Sequence, residues 1–420
     1  MRTSRIWLVL IIVVVCAAAA AFFWMLRYPS VSIVKTNSPS LTATSTASST
    51  ALALNTSSTS GPTLDPISDP TGTVGLPNIL SFINTSTPVD TTAYDAKMLA
   101  LANLPLRIIK YQVSSTVATS GFVMATRTVP GTSPYWPVKT GTVAEVASGT
   151  ARAPYPNAGA ILPFNRIVAY YGNFYSKQMG VLGEYPPAQM LAMLASTTAA
   201  WAAADPSTPV IPAIHYIAVT AQGTAQSDGT YRLRMPADQI QKAIALAAQI
   251  NGLVFLDVQV GLSTVEKEVP LLAPYLKLPQ VNLALDPEFD MDASGKPPGG
   301  VIGTMDAADI NWAAQYLANI VHDNNLPPKI LVIHRFTEDM VTHYKKIQPL
   351  PEVQIVMDMD GFGFPAKKVN TYAQVIVPEP VQFTGFKLFY KNDIAGPLGH
   401  LMTPGEVLKL SPQPSYVQYQ

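Results

Sequence analysis

From about residue 165 to the C-terminus, short apolar, β-branched runs alternate with longer stretches in which apolar residues recur every three or four positions. The runs read as buried strands and the stretches as amphipathic helices, and their succession predicts βα units around a parallel sheet. Eight strands are expected, at 166–172, 210–218, 252–259, 281–289, 329–336, 353–361, 373–379 and 385–390. Helical candidates between them are AQMLAMLASTTAAWAAA, ADQIQKAIALAAQI, TVEKEVPLLAPYL, INWAAQYLANIVHD and TEDMVTHYKKI. Residues 164–420 are 257 positions, close to the roughly 250 of a (β/α)8 barrel. The expected fold is therefore α/β, a TIM-like barrel. A doubly wound open sheet is the alternative, but only Gly172 follows the first strand where G-x-G-x-x-G would be needed, and no Walker A sequence occurs.

The pattern upstream is different. Residues 6–26 are an unbroken apolar run of 21, about 30 Å as a helix and so long enough to span a bilayer. Arg2, Arg5 and the terminal amine outweigh Arg27, which places the N-terminus in the cytoplasm and everything after Tyr28 outside. A cleaved signal peptide is the alternative, since Ala17, Ala19 and Ala21 offer A-x-A sites; either way the chain is exported. A lipoprotein signal is disfavoured by Val15 before Cys16. Residues 30–92 are rich in Ser, Thr and Pro with almost no charge, a composition expected to form a disordered stalk. Asn55 and Asn84 open formal glycosylation sequons. Residues 93–163 combine a helix-like AYDAKMLALANL and a strand-like LRIIKYQV with a Pro/Gly/Thr-rich tract, an appendage whose fold the pattern leaves open. The expected organisation is an anchor or signal at 1–29, a linker at 30–92, the appendage at 93–163 and the barrel at 164–420.

Composition narrows the chemistry. With 27 basic and 27 acidic residues the net charge is zero, so no nucleic-acid partner is expected. The single cysteine, Cys16, excludes an internal disulfide and any cysteine-built metal site. In a barrel of this kind, functional groups sit at the C-terminal ends of the strands. Those ends carry Tyr171, His215, Asp257 and Gln259, Asp286 and Glu288, His334, Asp358 and Asp360, Glu379, and Lys387 and Tyr390. Asp257/Gln259, Asp286/Glu288 and Asp358/Asp360 are spaced by two, so each pair is expected on one side of its strand. Crowded carboxylates repel, which holds some protonated and leaves others ionised, the condition for paired acid and base work. The candidate catalytic acids are Glu288, Asp286, Asp257, Asp358, Asp360 and Glu379. Tyr171, His215, Gln259, His334, Lys387 and Tyr390 are the candidate substrate-binding groups. The bland alternative is that these acids cap helices or pair with Arg166, Arg335 and Lys387.

Other chemistries are less favoured. His215 and His334 with Asp257 or Asp286 make a conceivable metal set, but no H-x-H or HExxH spacing exists, so neither a metal nor another cofactor is expected. A serine hydrolase lacks its G-x-S-x-G elbow, and Ser263 lies where a helix begins. Aromatic residues near the expected mouth, among them Tyr170, Tyr175, Phe289, Phe336 and Phe362, would offer flat faces to sugar rings or simply pack the core.

The runs YYG, FLDVQVG, LALDPEF, DMDGFG and GFKLFY resemble those of exported bacterial glycoside-hydrolase-type TIM barrels, and the barrel half is similar to a family of membrane-anchored or lipoprotein-like bacterial proteins without an assigned activity. The resemblance covers about residues 164–420. It implies a barrel at the cell surface acting on or binding cell-wall or extracellular polysaccharide. In many retaining glycosidases of this fold the acid/base glutamate ends strand four and the nucleophile strand seven, positions that Glu288 and Glu379 would match. Here Pro287 stands where that pattern has Asn, and Asp257, Asp286, Asp358 or Asp360 remain alternatives for the second carboxylate. A barrel that only binds a glycan or protein, and a metal-dependent phosphodiesterase, are the other readings.

Overall fold

The computed structural model describes residues 86–114 and 122–420. The expected anchor and nearly all of the expected stalk lie outside the described residues. Among the described residues, no helix is long and apolar enough to cross a membrane.

Eight parallel strands close into a barrel: β1 (Arg166–Gly172), β2 (Val210–Ala221), β3 (Leu253–Val258), β4 (Val281–Leu285), β5 (Lys329–Arg335), β6 (Val353–Met359), β7 (Phe383–Leu388) and β8 (Tyr416–Tyr419). Each pairs with the next, and β8 pairs with β1, with Tyr416 opposite Ile167. Every residue of seven of these strands is buried, which explains the continuous apolar runs: one face fills the barrel and the other lies under helices. Period-two alternation divides them. Ile167, Ala169, Ala213, Phe255, Ala284, Val332 and Val356 form the interior cluster, whereas Val168, Ile214, Leu256, Leu283, Ile333 and Ile355 belong to the layer between strands and helices.

The helices confirm the alternation with local corrections. A helix at Pro187–Ala204 follows β1, one at Ala237–Ala248 follows β2 and one at Ala307–Asn324 follows β4. Pro270 and Pro274 break the expected TVEKEVPLLAPYL helix into the short turns Val265–Glu268, Val269–Leu272 and Ala273–Leu276, because proline withholds an N–H from the helical ladder. TEDMVTHYKKI forms two 3-10 turns, Glu338–Met340 and Tyr344–Lys346, separated by a short extended stretch.

The expected seventh strand, 373–379, is not a strand. Pro365–Thr371 is helical and runs on into the π turn Tyr372–Ile376, with Tyr372, Val375 and Ile376 buried. The β-branched run is used as an apolar helical face. The expected eighth strand is therefore the seventh, and the barrel closes with Tyr416–Tyr419, a run of four residues that pattern alone passes over.

The N-terminal appendage is partly resolved into a plug. A helix at Thr91–Ala102 starts two residues inside the expected stalk, where the Asp90 carboxylate accepts from the amides of Thr92 and Ala93, the standard satisfaction of free helix N–H groups. Its Tyr94 and Met98, four residues apart and so on one face, are buried in the interior cluster against residues at the N-terminal ends of the strands. The helix closes the base of the barrel. It ends at Asn103 in left-handed conformation, φ 47°, whose side-chain amide donates to the carbonyls of Leu408 and Leu410. Beyond it, Leu106–Ser114 and Phe122–Pro130 pair as an antiparallel hairpin.

Candidate active site

The inward positions change character toward the C-terminal ends of the strands. Below are Ile167, Ile211, Leu253, Ile330 and Phe383. Above are Tyr171 from β1, His215 from β2, Asp257 from β3, His334 from β5, Asp358 from β6, Lys387 from β7 and Gln418 from β8, all buried. Closure of the sheet brings residues about 200 apart in sequence within hydrogen-bond range: the Tyr416 hydroxyl is 2.6 Å from His215 Nδ1, and Gln418 Nε2 is 3.0 Å from the same atom.

The spacing rule holds for Asp358 and Asp360, whose Oδ2 atoms lie 3.4 and 3.1 Å from His334 Nδ1. Gln259, two beyond Asp257, accepts from the Ala221 amide and donates to Asp286 Oδ2 at 3.1 Å and to the Tyr171 hydroxyl at 3.3 Å. It fails for Asp286 and Glu288, because the chain leaves β4 at Asp286 and turns at once into Pro287–Phe289. The Asp286 carboxylate caps that turn by accepting from the Glu288 amide, and Glu288 projects from the turn.

Above this layer is a cavity of about 550 Å³. Its floor and walls include Tyr171, Gln259, Asp286, Glu288, Asp360 and Lys387, with Phe289, Phe336, Phe362 and Phe389 as flat apolar faces. Lys387 Nζ lies 3.3 Å from Asp360 Oδ2 and 3.7 Å from the centre of the Tyr171 ring, so one cation serves a carboxylate and an aromatic face.

Two of the cavity acids, Glu288 and Asp360, are driven apart. Burial, with the Asp360 charge adding to it, pushes the Glu288 carboxyl up to about 7. Burial also pushes at Asp360, but Lys387 and His334 together outweigh it and hold that carboxyl below its ordinary value. Burial raises Asp286 well above its ordinary value. It pushes His215 down to about 4.

Two expected site residues stand elsewhere. Glu379 follows the helix that replaces the expected strand and ion-pairs with Arg335; it does not line the cavity, so the strand-seven position implied by the resemblance is not occupied by it. Tyr390 donates or accepts at the Tyr170 hydroxyl, 2.9 Å away, and packs on Tyr170 and Tyr419 in the outer layer. Tyr170 and Tyr216 belong to that layer as well. Arg166 pairs with Asp205 and not with the mouth acids, and Ser263 is buried with its hydroxyl 2.5 Å from Glu268. Tyr416, Gln418 and Gln420 fall outside the expected strands, because the run YVQYQ is too short to stand out by pattern.

His215 and His334 both aim Nε2 at Asp257 Oδ2, at 3.5 and 3.6 Å. These are the residues of the site with the donor types to hold a metal ion. Compared with known proteins, the chain matches no family model and no curated sequence.

Proposed function

We propose that this barrel is a surface-exposed, glycoside hydrolase-like protein that acts on cell-wall or extracellular polysaccharide, with Glu288 as proton donor and Asp360 as the ionised partner. The observation that supports it is that both acids line one open cavity with their acidities driven in opposite directions. Burial pushes Glu288 up to about 7, so that a large share of it still carries its proton near neutral pH, and Lys387, 3.3 Å from Asp360, favours the charged form of that carboxylate. Glycosidic cleavage needs one acid to protonate the leaving oxygen and one carboxylate to attack or to activate water. The phenylalanines around the cavity suit the apolar faces of sugar rings. Export through the apolar segment at 6–26 would place the cavity among such glycans.

The test is hydrolysis of a panel of wall and extracellular polysaccharides by the full chain. Turnover is expected to fall as pH rises through about 7, because Glu288 must carry its proton to act. Glu288→Gln should lower turnover by about 10²- to 10⁴-fold while glycan binding persists. A fully active Glu288→Gln enzyme would sink the assignment. Tight binding of a glycan by the unaltered chain, with no cleavage of it, would turn the reading to a binding barrel.

A further inference from the structure

We propose that His215, Asp257 and His334 form a binding site for a first-row divalent transition-metal ion, zinc foremost, inside the barrel beneath the cavity. The three donors come from β2, β3 and β5, and one ligand atom from each lies within 4.8 Å of the others. His215 Nε2 and His334 Nε2 stand 3.5 and 3.6 Å from Asp257 Oδ2. Those separations exceed the roughly 2.7–3.2 Å of an N–H···O hydrogen bond. They are close to the separation of about 3.3 Å between ligand atoms that each sit about 2.0–2.1 Å from a tetrahedral ion.

Burial adds an independent reason. All three side chains are wholly buried, yet His215 Nε2, His334 Nε2 and both Asp257 carboxylate oxygens have no hydrogen-bond partner. Buried polar atoms are almost always satisfied, and His215 Nε2, His334 Nε2 and Asp257 Oδ2 lie together. The far nitrogens face polar groups. The Tyr416 hydroxyl, at 2.6 Å, and the Gln418 side-chain amide, at 3.0 Å, both reach His215 Nδ1 and orient the ring with Nε2 toward Asp257. His334 Nδ1 is 3.1 Å from Asp360 and 3.4 Å from Asp358. A hydroxyl or carboxylate behind each imidazole is the arrangement that orients metal-bound histidines.

Donor chemistry points the same way. Two imidazoles with a carboxylate select zinc, iron or manganese over calcium and magnesium, which favour all-oxygen sets. Tyr171 lines the cavity and its ring packs against both imidazoles, with centroids 5.2 and 5.9 Å away. An ion here would brace the floor of the cavity. The inference does not depend on the hydrolase reading.

The test uses the full, tag-free chain in mild detergent, stripped with a chelator and titrated calorimetrically with ZnCl2 and MnCl2. One ion per chain is expected, with a raised unfolding temperature, and His215→Ala or His334→Ala should weaken binding at least tenfold. No stoichiometric binding of either ion would overturn the proposal, as would binding that both variants leave unchanged. If the variants fail to fold, X-ray absorption at the zinc edge of the unaltered chain decides: two imidazole nitrogens in the coordination shell support the site, and an all-oxygen shell overturns it.

Discussion

Glu288 combines two demands that oppose each other. A carboxyl whose folded value is raised to about 7 from an ordinary 4.5 contributes stability that is present below about 4.5 and lost as pH rises through about 7, because the folded state then has to carry a half-buried charge. Glu288→Gln, which cannot ionise, should therefore melt like the unaltered chain at pH 4 and a few degrees higher at pH 8, read by thermal unfolding at both. Gly385 illustrates a different constraint. A Cβ there would lie 2.4 Å from Asp358 Oδ1 and 3.1 Å from the Asp358 backbone, so strand β7 is bare where the carboxylate of β6 needs room. Gly385→Ala should cost about 1–3 kcal/mol by displacing Asp358, measured as a lowered denaturation midpoint. An unchanged midpoint would show that Asp358 has space to move.

At the level of elements, the barrel strands are legible because burial on both faces writes them as continuous apolar runs, and seven of the eight overlap an expected strand. Two expectations fail. AQVIVPE carries β-branched residues that suit a strand, yet it packs as a helical face, while the four-residue β8 is too short to register against its proline-rich approach. Local propensity is a weak force that packing overrides. The extension of β2 shows packing that no local pattern announces. Arg232–Arg234 pairs antiparallel with it, and Glu268 accepts from Arg232 Nε at 2.8 Å, Arg234 Nε at 2.7 Å and Ser263 Oγ. Glu268→Ala would leave the arginines without their buried partner and should destabilise by about 3–5 kcal/mol, detected in urea unfolding.

For the whole molecule, the helix Thr91–Ala102 makes the N-terminal segment part of the barrel's core and not a detached appendage. Tyr94 and Met98 cover apolar residues at the base that include Ile167, Ile211, Ile330 and Phe383. A chain that begins at residue 164 would expose them together, and contiguous apolar patches of that kind drive aggregation. It should be insoluble or melt well below the full chain; a soluble monomer with an unchanged melting temperature would refute the plug.

Composition and patterning by themselves determined the export segment as an expectation, the parallel α/β architecture, and the strand ends at which Asp257, His334, Asp358, Asp360 and Lys387 lie, because burial and period-two alternation are local properties of the chain. Only the closed barrel decided which of those groups meet. His215 touches Tyr416 and Gln418 across the β8–β1 seam, Glu288 leaves the strand on a turn, and Glu379 goes to Arg335 outside the cavity. Such contacts join residues far apart in sequence, and their opposing electrostatic effects on Glu288 and Asp360 depend on distance and burial that no linear pattern records.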